Sequence, residues 1–122
     1  MKDRVPRLNQ LLKREVGKII LRDIDLPDNV LATITEVETS PNLIQAKIYI
    51  SALPDEKLDE VMVILNSQVY FIQKEINDKL RIRPVPKIIF KKEDKTRTAA
   101  KVEELLAEIN YGETNLENKP KI

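Results

Sequence analysis

Cationic side chains, rather than nucleophiles or metal ligands, carry what chemistry this sequence offers. Its 122 residues include no His and no Cys. That removes the commonest general base, the commonest metal ligand and every Ser-His or Cys-His nucleophile, and with them any disulfide framework. The only glycines are Gly17 and Gly112, at opposite ends, so no glycine-rich loop can cradle a phosphate. Glu36 and Glu38 would share a face of a strand and could exchange protons, but exposed acid pairs are ordinarily surface. Asp23, Asp25 and Asp28 crowd one short stretch. Their spacing matches no calcium loop and the stretch lacks a Gly, so no metal is expected there. These residues predict a binding protein, not an enzyme, and no cofactor.

The formal net charge of +1 hides strong segregation. Residues 1–22 hold seven Lys/Arg against two Asp/Glu, and residues 73–97 hold nine against four. Between them, residues 23–72 hold two against nine. Two basic blocks flanking an acidic middle suggest a polyanionic partner, although solvated helix and loop surfaces give the same pattern. In the first block Arg7, Arg14 and Lys18 fall on a narrow stripe at about 100° per residue, beside an apolar face. Such a stripe can track a phosphate backbone. It can equally serve solubility, with the Lys and Arg stems covering the apolar edge.

The elements that position these cations are legible from periodicity. Leu8, Leu11, Leu12, Val16, Ile19 and Ile20 predict a helix over about Val5 to Arg22, with Pro6 in its first turn. Pro27 and the Asp/Asn cluster around it end that helix. A hairpin is expected over Leu31 to Ser51. Ile44, Ala46, Ile48 and Ile50 alternate with polar residues in its second strand, Leu31 to Glu38 alternates less cleanly, and Thr39-Ser-Pro-Asn42 supplies the turn. A second apolar stripe runs from Leu58 to Leu80, about 26 residues with its flanks and ~39 Å as one straight helix. Asn66 and Ser67 compete with helical hydrogen bonds, so a bend or break is expected near Asn66–Tyr70. Pro84 and Pro86 end it, and Lys87-Ile-Ile-Phe-Lys91 reads as a third strand. Val102, Leu105, Leu106 and Ile109 form one face of a last helix, stopped at Asn110-Tyr-Gly112. Residues 112–122 read as a polar, disordered tail. One α+β domain over residues 1–111 follows, with no membrane span and no secretory signal expected.

Helix, strand, strand, long or broken helix, strand is the order of a type II KH domain. KH modules hold single-stranded nucleic acid, usually with a GxxG loop between two helices, and this chain has no such loop. From about Arg4 to Ile109 it resembles bacterial ribosome-binding factor A, a KH-like family without GxxG. The resemblance rests on Val37-Glu-Thr-Ser40, Asn42-Leu43 and Ala46-Lys-Ile-Tyr49 in the hairpin. It rests also on Leu80-Arg-Ile-Arg83 followed by Val85-Pro86 and Phe90, and on Arg4, Arg7, Leu8 and the Leu12 to Glu15 step of the first helix. The family's kink-forming Ala-x-Gly segment falls on Gln68, Val69 and Tyr70 here, which implies a weaker bend. An Arg usual shortly after it is Gln73, and an Asp-Pro-Arg element appears as Leu26-Pro27-Asp28.

The resemblance implies a monomeric, cytoplasmic, non-enzymatic assembly factor. Such a protein binds the immature small (30S) ribosomal subunit and assists late maturation of its 16S rRNA, with importance for growth in the cold. The expected RNA face combines Arg7, Arg14 and Lys18 with Arg81, Arg83, Lys87, Lys91 and Lys92. The contrasting expectation is that Arg81 and Arg83 pair with acids of the middle segment. An alternative function keeps the KH-like fold as a protein–protein interaction module without RNA binding.

Overall fold

The computed structural model describes residues 4–93. The expected C-terminal helix and tail lie outside the described residues. Within them the order is α1 (Arg4–Asp23), β1 (Leu31–Thr39), β2 (Gln45–Leu53), a 3-10 turn (Asp55–Lys57), α2 (Leu58–Ser67), α3 (Val69–Lys79) and β3 (Lys87–Lys92). This is the α+β, KH-like arrangement expected from the sequence.

Three strands form one sheet in the order β1-β2-β3, with β1 antiparallel and β3 parallel to the central β2. All three helices cover the same face. Ala46, Ile48, Ile50 and Ala52 of β2, Ile34 and Val37 of β1, and Ile88 and Phe90 of β3 are buried against Leu12, Val16 and Ile19 of α1, Val61 and Leu65 of α2, and Ile72 and Ile76 of α3. The opposite face, with Lys47, Tyr49, Ile89 and Lys91, carries no described helix.

The uneven alternation of β1 has a structural cause. Ile34 pairs with Ile50 and Val37 with Ile48, so β1 has one residue more than β2 between these pairs. The bulge lies between Ile34 and Glu36, and it lets two apolar residues three apart face the same core. One detail of the hairpin differs from expectation. Ile44 precedes β2 and is 64% exposed, so the buried row begins at Ala46. In the loop Leu43 takes a positive φ of 62°, while the Asn42 side chain bonds the backbone two residues on. Ser40 and Asn42 hold that conformation. Ser40 Oγ accepts the N–H groups of Ile44 and Gln45, each at 3.2 Å, and Asn42 Oδ1 accepts from Ile44 at 3.1 Å.

The long helical stripe is broken at a single residue. Gln68 has φ −109° and ψ 8°, outside the helical region, and α3 starts at Val69. Ser67 Oγ donates to the Ile64 carbonyl at 2.6 Å, the side-chain competition expected there. The Gln68 N–H is shared between the carbonyls of Ile64 and Leu65, at 3.2 and 3.0 Å. The break lets α2 follow β2 and β3 while α3 lies between α1 and β3.

Candidate nucleic-acid interface

Arg4 and Arg7 stand one turn apart on α1 and are exposed to solvent. Across from them lies Arg83, in the linker between α3 and β3. The three line an open groove of about 200 Å³. Leu8 and Leu11 of α1, Leu43 of the hairpin loop, and Ile82 and Pro84 of the linker form its apolar lining. Among the described residues no carboxylate lines it. Arg83 is fixed by its own backbone, since Nη1 donates to the carbonyls of Leu80 at 3.1 Å and Ile82 at 2.6 Å. Segments far apart in sequence thus bring Arg7 and Arg83 together, as the KH-like reading anticipates. Arg4 joins them without having been singled out as a contact residue. Its signal was its i, i+3 spacing to Arg7.

The other expected contacts lie elsewhere. Arg14 and Lys18 sit around Glu15, at 3.2 and 3.7 Å, with Lys79 of α3 at 4.0 Å. Burial alone would raise the Glu15 pKa. The Arg14 hydrogen bond and the charges of Lys18, Arg14 and Lys79 outweigh it, so the carboxyl titrates below its usual range. One carboxylate therefore offsets part of the charge of this stripe. Lys87 and Lys91 belong to the sheet face that carries no described helix, and Lys92 to the helix side, where it pairs with Asp59 of α2. Arg81 is exposed in the linker, and neither it nor Arg83 forms an ion pair among the described residues. The expectation of one combined RNA face is corrected on this point. Strand alternation sends the neighbours Lys91 and Lys92 to opposite sides of the sheet.

At the helix break Val69 packs against the core, whereas Tyr70 is 90% exposed and Gln68 is exposed. Gln73, one turn further, has a structural task that the sequence did not reveal. Its amide bonds the backbone of Pro86 and Ile88 at the start of β3.

A family model described as Ribosome-binding factor A matches residues 4–106. The chain belongs to the ribosome-binding factor A family. It is 34% identical over 113 residues to Ribosome-binding factor A of Halothermothrix orenii, covering 92% of this chain and 93% of that protein. It is also 34% identical over 116 residues to Ribosome-binding factor A of Clostridium botulinum strain Okra, covering 93% and 97%. Among solved structures, ribosome-binding factor A from Thermus thermophilus matches with a TM-score of 0.60 at 21% identity, over 71% of this chain and 92% of that one. A Thermotoga maritima protein described as a candidate ribosome binding factor A matches with a TM-score of 0.64 at 28% identity, over 75% and 88%. Against that family background, the described residues contain no cluster of three or more His, Cys, Asp or Glu able to hold a metal ion. No described helix is long and apolar enough to cross a membrane.

Proposed function

We propose that this protein binds the immature small (30S) ribosomal subunit through its rRNA and assists late maturation of 16S rRNA, as a cytoplasmic monomer that makes and breaks no bonds. Family membership carries this reading, and the convergence of Arg4, Arg7 and Arg83 supports it. The mechanism is selection. RNA folds into competing conformers, and a protein that binds one of them shifts the population by its difference in affinity. Such help matters most in the cold, where misfolded RNA helices are trapped more deeply. The domain over residues 1–111 is sufficient for binding, and the tail 112–122 adds nothing to it.

Co-sedimentation with mature and immature small subunits over a salt series tests this. Salt-sensitive binding that favours immature subunits, retained by a chain ending at residue 111, is the expected result. No binding even at low salt sinks the reading. The pairing of Arg14, Lys18 and Lys92 with carboxylates favours a second possibility, a protein-interaction module on the same fold. That module predicts binding to a protein partner with little salt dependence and none to RNA.

A further inference from the structure

We infer that the groove between the first turns of α1, the hairpin loop and the α3–β3 linker is a subsite for one unpaired nucleotide of single-stranded RNA, its phosphates held by Arg4, Arg7 and Arg83 and its base laid on Leu43 and Ile82. This rests on the RNA-binding reading and deepens it.

Three features of the groove choose this ligand. The first is charge. Among the described residues three guanidiniums and no carboxylate line the groove, and a guanidinium fork matches phosphate oxygens two at a time. Arg83 spends Nη1 on two backbone carbonyls, which fixes the side chain and leaves Nε and Nη2 to donate. The second is size. A groove of about 200 Å³ is smaller than the ~300–1,000 Å³ of sites that enclose drug-sized ligands. It suits one planar base rather than a helix of RNA or peptide. The third is the floor. Leu43 is held at φ 62°, a conformation that L-residues rarely adopt, by the bonds of Ser40 and Asn42. That strained backbone presents an aliphatic surface beside the guanidiniums, suited to a base face and indifferent to its identity. Bases within a duplex are stacked away from such a surface, so the subsite requires an unpaired nucleotide.

The test is fluorescence anisotropy of the full chain with a labelled single-stranded RNA 12-mer, the same RNA as a duplex, and two variants. Arg4→Gln/Arg7→Gln should weaken single-strand binding about tenfold and flatten the log–log salt slope by roughly 1.4, at ~0.7 per phosphate contact on a single strand. Leu43→Gly removes the floor without forcing the backbone. It should weaken binding while leaving the salt slope unchanged. Thermal melts of both variants near that of the parent establish that they fold. An unchanged slope in the double arginine variant, or equal affinity for duplex, overturns the subsite while RNA binding by the parent stands. A parent that binds neither RNA nor subunits overturns the RNA reading as well. Displacement of the RNA by an equal concentration of a peptide of residues 98–109, with its three glutamates, would reassign the groove to acidic peptides and overturn the nucleotide.

Discussion

The side-chain amide of Gln73 closes the outer edge of β3, which no other described strand pairs, at Ile88. Its Oε1 accepts the Ile88 N–H at 2.8 Å and its Nε2 donates to the Pro86 carbonyl at 3.2 Å. In the parallel pair with β2, alternate residues of β3 turn their N–H groups inward, and Lys87 donates to Ile44 in this way. The N–H of Ile88 therefore faces outward, where an edge strand has no partner. At a position where the family resemblance implies an Arg, Gln73 thus substitutes for a fourth strand.

Gln73→Glu should thus cost about 1–3 kcal/mol, because a carboxylate can accept from Ile88 but cannot donate to Pro86. Urea unfolding measures the loss, and hydrogen exchange should show faster opening at the Ile88 amide. Unchanged stability would mean that water satisfies this edge equally well.

A second side chain ties α1 to the sheet. Asn9 Oδ1 accepts both the N–H of Thr39, at 3.0 Å, and its hydroxyl, at 2.6 Å. Thr39 is the one buried polar residue among the described residues, 4% exposed. Asn9→Ala leaves two buried donors without their acceptor and should destabilise by about 1–3 kcal/mol. Thr39→Val in the same background should recover part of that loss, because it removes the orphaned hydroxyl. A double-mutant cycle with no coupling between the two positions would contradict this account.

These ties mark the limit of what the sequence discloses. The helices and strands follow from Leu8-Leu12-Val16, Ala46-Ile48-Ile50 and the Leu58 to Leu80 stripe, because burial imposes periods of 3.6 and 2. The break at Gln68 could be placed to within a few residues, since Ser67 competes locally for a carbonyl. The bulge after Ile34 was visible only as imperfect alternation, and the strained Leu43 depends on bonds from both of its flanks. The site was harder still. Charge blocks select candidate residues, but which side of β3 a lysine takes and which carboxylate reaches Arg14 are matters of register and packing. The meeting of Arg7 with Arg83 follows from the KH-like element order, whereas the part of Arg4 in it shows only in the folded groove.

Glu15 gives the protein an acid-sensitive contribution to stability. Its folded pKa lies below its ordinary value, net of burial, because Arg14, Lys18 and Lys79 favour the carboxylate. The stabilisation is therefore fully present above the unfolded-state pKa and is lost as pH falls through the lowered folded value. The cations are one-third or more exposed, at 64%, 55% and 35%, so solvent screening keeps the effect below about 1 kcal/mol. Glu15→Gln should be slightly less stable than the parent at neutral pH, and the difference should vanish in acid and shrink in high salt. Thermal melts across pH settle this. A gap that widens in acid would reverse the assigned sign.

Arg81 and Arg83 stand two residues apart, yet their reversal should have different consequences. Arg81 is exposed and forms no ion pair among the described residues, so Arg81→Glu should change stability by no more than about 0.5 kcal/mol. If the linker faces rRNA, the same change should weaken subunit binding and flatten its salt dependence, since a cation near the phosphates has become an anion. Arg83 instead holds the carbonyls of Leu80 and Ile82, and Leu80 is a buried core residue at the end of α3. Arg83→Glu therefore loses two hydrogen bonds as well as a groove cation, and should lower both stability, by about 1–3 kcal/mol, and binding. Parallel urea unfolding and subunit co-sedimentation separate the two residues. Loss of stability in Arg81→Glu would show that its charge is engaged with an acid of the protein itself, and normal stability in Arg83→Glu would show that its carbonyl contacts are not needed to hold the linker.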